Sequence, residues 1–186
     1  MTKSFAAELN IEAQSLMKKR QWKRAIKLFT GNMTVVKNNW KLTWNLGWCH
    51  FKPKNLALAQ HCFKSAIKLS PDNSLCYWAL GIVLRETEQY EKAEKYLRKS
   101  LRLKDGYLNR IGLALAYLAQ GKVKKAEKIH IDGIALNPDD HRRYESYAAF
   151  LYDVEREDEA KEISQKAKRI GRSENKRSHQ KSQTAK

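Results

Sequence analysis

The amino-acid sequence predicts an all-α solenoid built from about five stacked helical hairpins. The first observation behind this prediction is a regular spacing of small residues along the 186-residue chain. In residues 40–73 they are Gly47, Ala59 and Ala66, and shifts of 33 or 34 residues bring further residues onto the same three positions. Three positions in each of five copies make fifteen positions. Fourteen of them hold Gly, Ala or Ser, and Asn32 is the exception. A fixed period near 34 residues is typical of helical-hairpin repeats.

The second observation is the apolar pattern inside each copy. In the first copy Phe5, Leu9, Ala13 and Leu16 recur at helical spacing and therefore share one helix face. The copies span about 6–39, 40–73, 74–106, 107–140 and 141–170. The fifteen repeated positions are Ala13, Ala25, Asn32, Gly47, Ala59, Ala66, Gly81, Ala93, Ser100, Ala114, Ala126, Gly133, Ala148, Ala160 and Ala167.

The end of each hairpin also has a sequence signal. Pro71, Asp105-Gly106 and Asn137-Pro138 end the second helices of copies two, three and four. Four equivalent apolar residues near these ends are expected to be core: Leu69, Leu103, Leu136 and Ile170. Beyond them, residues 171–186 are polar and basic and cannot bury enough surface to order themselves, so a disordered tail is expected.

The repeat resembles the tetratricopeptide repeat over about residues 6–174. The residues that carry the resemblance are Leu46-Gly47, Leu80-Gly81, Ala59, Ala93, the Ala66–Pro71 ending, and Tyr117, Gly121, Ala126 and Pro138 in the fourth copy. The resemblance implies a right-handed superhelical solenoid that acts as a protein-interaction module or scaffold. It also implies that the chain has no catalytic chemistry of its own.

The resemblance further implies which side chains line the concave groove, where such arrays hold a peptide or a helix of a partner. The matching positions are Lys41, Trp44, Asn45, Trp48, Phe51, Trp78, Ile82, Arg85, Ile111, Leu115, Leu118 and Tyr152. Three of them are tryptophans, a residue enriched at binding hot spots. The alternative is that these side chains belong to the core. One subclass of these repeat proteins binds the terminal carboxylate of a chaperone tail through basic side chains. The matching positions here hold Asn10, Gln14, Leu75 and Ala79, so binding of such tails is not expected.

Charge supports a second hypothesis. The formal net charge is +17, and residues 1–70 hold 13 lysines and arginines against Glu8 and Glu12. Exposed positions of the second helices carry Lys64, Lys68, Lys95, Arg98 and Arg102, which would line a basic convex face. Such a face most simply keeps the protein in solution. It would also suit an acidic protein partner or, as the less favoured alternative, nucleic acid or an anionic surface.

No motif points to an enzyme or a cofactor. The sequence lacks a glycine-rich phosphate loop, a nucleophile elbow and a Cys-x-x-Cys pair. Cys49-His50 and His61-Cys62 could face each other in one hairpin, but adjacent helical residues point about 100° apart, so no metal site is expected. Three cysteines, no apolar run long enough to span a membrane and no visible secretory signal indicate free thiols in a reducing compartment, taken as the cytoplasm.

Overall fold

The computed structural model describes residues 2–184, and side chains for residues 4–174. Every regular element in this part of the chain is an α-helix, which confirms the predicted fold class. The helices are α1 (Thr2–Lys18), α2 (Trp22–Thr30), α3 (Met33–Val36), α4 (Trp40–Phe51), α5 (Leu56–Leu69), α6 (Ser74–Glu86), α7 (Tyr90–Leu103), α8 (Tyr107–Leu118), α9 (Val123–Leu136), α10 (His141–Asp153) and α11 (Glu157–Thr184). None of these described helices is both long and apolar enough to cross a membrane.

The chain divides into two compact units between Asp105 and Gly106. Unit 1 contains α1 to α7, and its hairpins are α1/α2, α4/α5 and α6/α7. Within it α2 packs against α4 and α5 packs against α6. Unit 2 contains the hairpins α8/α9 and α10/α11, and α9 packs against α10.

The repeated small residues lie where helices cross. Ala13, Ala59 and Ala93 are fully buried in unit 1, as are Ala126 and Ala160 in unit 2. Two glycines show why size matters at these crossings. A Cβ atom on Gly47 would lie 2.5 Å from Cε1 of Phe63, and one on Gly81 would lie 2.4 Å from Cγ of Leu97. Phe63 and Leu97 therefore fill the space that the missing side chains leave.

Each hairpin turns through one residue with a left-handed backbone. These residues are Arg20, Lys54, Glu88, Gly121 and Glu155, with φ between 56° and 68°. The same two hydrogen bonds close every turn: in the third hairpin Glu88 N donates to Arg85 O and Gln89 N to Leu84 O, at 3.0 and 2.8 Å. This bond pair is the Schellman motif, which satisfies carbonyls at a helix end. Four of the five turns place a residue other than glycine in this conformation.

The first repeat is irregular at the position where Asn32 replaces a small residue. Helix α2 has 9 residues, whereas α5 has 14. The chain leaves α2 at Gly31, Asn32 donates from Nδ2 to Leu28 O at 2.9 Å, and the short helix α3 follows. A larger polar side chain at a crossing position is thus accommodated by interrupting the helix.

Two of the four residues expected in the core at hairpin ends are on the surface. Leu69 is 40% exposed and Leu136 is 64% exposed, whereas Leu103 and Ile170 are half-buried. Leu69 and Leu136 are the last residues of α5 and α9, where the chain already turns towards the next hairpin. The prediction of a core role was wrong for these two leucines.

The end of the chain differs from the expected disordered tail, because α11 continues past Ile170 to Thr184. The first turn beyond Ile170 is held against α10. A Cβ atom on Gly171 would lie 3.4 Å from Cγ of His141, and His141 Nδ1 lies 2.5 Å from Glu174 Oε2. The contacts of His141 were not visible in the composition of the tail, from which the prediction was made.

Candidate partner-binding surfaces

In unit 1 the expected groove lies on α4 and α6, whose starts are fixed by asparagine caps. Asn39 Oδ1 accepts from the backbone N–H groups of Lys41 and Leu42, at 3.0 and 3.2 Å. Asn73 Oδ1 accepts from the N–H of Leu75 at 3.0 Å. Asparagine is among the best residues at this position, because it satisfies N–H groups that the helix leaves unpaired.

The three tryptophans of this surface form one cluster with two phenylalanines. We call it the aromatic cluster, and its members are Trp44, Trp48, Phe51, Phe63 and Trp78. Trp48 is its centre, with ring centroids 5.7 Å from Trp44, 5.5 Å from Trp78, 5.1 Å from Phe51 and 5.2 Å from Phe63. Aromatic pairs at such distances add about 0.5–1.5 kcal/mol beyond the area that they bury. The cluster is continuous with the core through the fully buried Phe63.

The tryptophans remain half-buried, so the cluster also has an accessible side. Trp44 donates from Nε1 to Leu75 O at 3.3 Å. The indole N–H groups of Trp48 and Trp78 are buried and have no acceptor among the described residues. Leaving a buried donor unsatisfied costs about 1–3 kcal/mol. Among the described residues, the rings of Trp48 and Trp78 are therefore held in place by packing rather than by hydrogen bonds.

The other residues expected in this groove divide by exposure. Asn45 and Ile82 are 2% and 9% exposed and belong to the interior, which differs from the prediction. Asn45 donates from Nδ2 to Asn10 Oδ1 at 2.7 Å and so joins α4 to α1. Arg85 is half-buried and forms an ion pair with Glu86 at 2.8 Å. Lys41 is exposed.

A second concave surface of unit 1 was not expected from the sequence. It is a cavity of about 570 Å³ between α1, α3 and the start of α4. Ile11, which is 67% exposed, lines it together with Asn10, Val35 and Lys41. The signal available in the sequence was Ile11 itself, an apolar residue outside the apolar face of α1.

In unit 2 the expected groove residues Ile111, Leu115 and Leu118 line a pocket of about 290 Å³, which we call the unit 2 pocket. They form the α8 wall, and Glu145, Ala149 and Asp153 form part of the α10 wall. The volume is just below the range of about 300–1,000 Å³ usual for small-molecule sites, so it suits one or two side chains. Tyr152 is 46% exposed and is not among the lining residues.

The base of the unit 2 pocket contains His130 of α9, which is 7% exposed. Its ring centroid lies 5.2 Å from that of Phe150, and its Nδ1 lies 3.3 Å from Ser146 Oγ. Burial lowers the pKa of His130 to about 4, against the opposing effect of Glu127. The imidazole is therefore neutral at pH 7 and adds no charge to the pocket.

The five residues of the expected basic face are all exposed: Lys64, Lys68, Lys95, Arg98 and Arg102. Arg98 forms an ion pair with Glu94, four residues earlier on α7, at 2.9 Å. Part of the positive charge on α7 is therefore neutralised locally. Pairs of this kind on a helix surface contribute only about 0.3–0.5 kcal/mol.

Cys49 and Cys62, of the cysteine and histidine cluster, are free thiols. Cys49 and Cys62 are buried, and burial raises their thiol pKa values to about 12 and 11. Metal binding would require the thiolates. His61 of the same set is exposed. Among the described residues, one close group offers three potential metal ligands: Asp140, His141 and Glu174. Asp140 already forms an ion pair with Arg142, whose Nε lies 2.8 Å from Asp140 Oδ1.

Comparison with known proteins finds a recognised repeat in part of the chain. Residues 54–107 match the family model described as tetratricopeptide repeat. No curated protein matches the sequence. Several solved structures are similar in fold despite low sequence identity.

MamA (residues 41 to the end) from Desulfovibrio magneticus RS-1 is 18% identical, with a TM-score of 0.67 and coverage of 90% of this chain and 96% of that chain. PilF of Pseudomonas aeruginosa is 14% identical, with a TM-score of 0.74 and coverage of 91% and 78%. A tetratricopeptide repeat protein from Parabacteroides merdae is 17% identical, with a TM-score of 0.73 and coverage of 85% and 62%. The sequence match identifies a tetratricopeptide repeat within residues 54–107, and these likenesses show that the chain has the fold of tetratricopeptide-repeat proteins.

Proposed function

We propose that the chain is a non-enzymatic interaction module that holds a peptide or helix of a partner protein on its groove-facing helices. The observation that carries the proposal is the aromatic cluster on α4 and α6. Its tryptophans are fixed by ring contacts of 5.1–5.7 Å and yet remain half-buried. A binding surface gains from aromatic side chains that are ordered before the partner arrives, because less conformational entropy is lost on binding.

Trp78 is the best position for a test of this proposal. It contacts the cluster through Trp48 at a centroid distance of 5.5 Å, whereas Trp48 has four aromatic neighbours. Removing Trp78 should therefore disturb the fold less than removing Trp48. The loss of binding then reports contact with the partner.

The experiment selects a displayed library of random twelve-residue peptides on the full chain and measures the affinity of the strongest binder. Trp78→Ala should weaken that binding by about 2 kcal/mol or more, as for an interface hot spot. Trp22→Ala is the matched control, because Trp22 lies on α2 and packs against the core of unit 1. Unchanged affinity for Trp78→Ala would exclude the aromatic cluster as the binding surface.

The basic face gives a different result in the same experiment. Lys64 and Lys68 on α5, and Lys95 and Arg102 on α7, are exposed and have no ion pair among the described side chains. Binding to nucleic acid through them would weaken steeply and log-linearly with salt. Burial of apolar surface against the tryptophans would depend little on salt. A steep salt dependence abolished by Lys64→Glu with Lys68→Glu would favour the basic face.

A further inference from the structure

The α10 wall of the unit 2 pocket has a regular arrangement of charge. Glu145, Ala149 and Asp153 are four residues apart, so they lie on one stripe of the helix. All three line the pocket and all three are exposed. The small side chain of Ala149 leaves the space open between two carboxylates. At a rise of about 1.5 Å per residue the two carboxylate positions are about 12 Å apart along the helix.

Both carboxylates are available for a partner. Neither Glu145 nor Asp153 has an ion pair or hydrogen bond among the described residues. None of the described lining residues is a lysine or an arginine. Arg142 lies over the Tyr107 ring at 5.5 Å, and its Nε and Nη2 donate to Asp140 at 2.8 and 3.0 Å.

The opposite wall supplies apolar surface. Ile111, Leu115 and Leu118 of α8 are half-buried and face the space beside Ala149. His130 at the base is neutral and packs against Phe150, so the floor is also uncharged. The pocket is thus apolar in the middle and acidic at both ends of one wall.

We infer that the unit 2 pocket takes an apolar side chain of a partner polypeptide that carries a lysine or arginine on each side of that residue. The inference rests on the proposed function and adds the chemistry of the bound segment. An extended chain advances about 3.3–3.6 Å per residue, so basic residues three or four apart match the spacing of the two carboxylates. The apolar residue lies between them.

The specificity runs against the net charge of the protein. At +17 the chain attracts acidic segments in general and repels basic ones. The sequence alone therefore favours an acidic partner. A preference for basic residues in the bound peptide would therefore have to come from nearby carboxylates such as Glu145 and Asp153. Observing that preference would identify the unit 2 pocket as the binding site.

The test is a displayed peptide library with a fixed central leucine and randomised positions on both sides, selected on the full chain. Lysine and arginine should be enriched over aspartate and glutamate at positions two residues from the leucine. Neutralising the wall with Glu145→Gln and Asp153→Asn should remove this enrichment and weaken the best basic peptide about threefold to tenfold, which lies within the range for two exposed ion pairs.

Two further variants make the result specific. Asp132→Asn with Glu162→Gln is the matched control, since it changes the net charge equally at exposed residues of unit 2 outside the pocket. This control should leave the enrichment unchanged. Ala149→Trp fills the pocket from an exposed position and should abolish binding, while the circular dichroism spectrum shows that the fold is kept.

The outcomes separate this inference from the proposed function. Peptides that are lost with Ala149→Trp but are acidic or unselected beside the leucine would overturn the inference and leave the interaction module standing. Peptides that are unaffected by Ala149→Trp would exclude the unit 2 pocket as a docking site. In that case the affinity of the Trp78→Ala variant decides on the proposed function independently.

Discussion

The groove-facing helices of unit 1 and unit 2 present different surfaces at equivalent positions of the same repeat. Trp48 on α4 corresponds to Leu115 on α8 and to Ala149 on α10. In unit 1 the large ring occupies the position and contacts four aromatic neighbours. In unit 2 the smaller side chains leave a pocket of about 290 Å³.

The comparison shows how one backbone pattern provides two kinds of surface. The hairpins of both units share buried small residues at the crossings and the same hydrogen-bonded turn. The two units differ in the size and charge of their groove-facing side chains, which take part in neither the helix crossings nor the turns. Unit 1 has tryptophans there, and unit 2 has aliphatic residues and carboxylates.

Truncating the central side chain of the groove surface in each unit should give the largest difference between the units. Trp48→Ala should lower the free energy of unfolding by about 3 kcal/mol, the lower end for a buried tryptophan, because Trp48 joins the surface cluster to Phe63. Leu115→Ala should cost only about 1–2 kcal/mol, below the values for fully buried leucines. Urea unfolding followed by tryptophan fluorescence reports unit 1, which contains all five tryptophans.

Circular dichroism follows the Leu115→Ala variant, since its signal includes the helices of both units. Equal losses for the two variants would mean that the pocket wall of unit 2 is as structural as the aromatic cluster. The distinction between a filled and an open surface would then fail.

Acid should affect unit 2 through His130. The folded-state pKa of about 4 lies below the ordinary 6.5 of a histidine, so the unfolded chain binds more protons between these pH values. Stability is therefore highest above pH 6.5 and falls as the pH drops towards 4, by up to about 3 kcal/mol from this group. The measurement is the thermal midpoint by circular dichroism at pH 7, 5.5 and 4.5.

His130→Gln should show a smaller loss between pH 7 and 4.5 than the parent protein. His61→Gln, at an exposed residue of unit 1, is the control and should leave the pH profile unchanged. An NMR titration of His130 with an apparent pKa near 6.5 would contradict the buried, neutral imidazole at the base of the pocket.

The crossing positions should respond differently in the two units, because α4 and α6 of unit 1 have glycine where α8 and α10 of unit 2 have alanine. Gly81→Ala should destabilise unit 1 by about 2 kcal/mol, since the new Cβ would lie 2.4 Å from Cγ of the fully buried Leu97. Ala114→Gly at the equivalent place in α8 should cost only about 0.5–1 kcal/mol, the usual effect of glycine in a helix.

A double-mutant cycle checks the cause. In the Gly81→Ala background, Leu97→Ala should cost less than it does alone, because the two side chains compete for one space. Additive losses would show that the glycine is needed for another reason.

The smallest effect concerns the turns. Glu88 has a φ of 58° and Gly121 has a φ of 68°, so the same left-handed position holds a strained residue in unit 1 and glycine in unit 2. Glu88→Gly should stabilise unit 1, and Gly121→Ala should destabilise unit 2, each by about 0.5–1 kcal/mol after the opposing change in chain entropy. Thermal midpoints measure both, and shifts of equal sign would contradict the shared turn geometry.

The sequence predicted the parts of the fold that repeat. The small residues at the crossings follow from the period, because a close helix approach needs a small residue in every copy. Features that occur once were not predictable in this way. Helix α3 depends on Gly31 and Asn32, and the extension of α11 beyond Ile170 involves contacts with His141.

The groove was predictable only as a set of helix positions. Equivalent positions in a repeat share a direction, but exposure depends on what the neighbouring helix presents. Asn45 is buried with Asn10 as its hydrogen-bond partner, and the unit 2 pocket has the small Ala149 in its wall. The cavity beside Ile11 needed the position of α3, which has no counterpart in the other repeats.

The three cysteines have a practical consequence for watching the protein move. Cys49, Cys62 and Cys76 are all fully or nearly buried and all lie in unit 1, and burial raises each thiol pKa to about 11 or 12. An alkylating reagent attacks the thiolate and must reach the sulfur, so it can react only when the helices around it part. The rate of alkylation therefore measures how often unit 1 opens spontaneously. Unit 2 contributes no signal, because all three cysteines lie in unit 1.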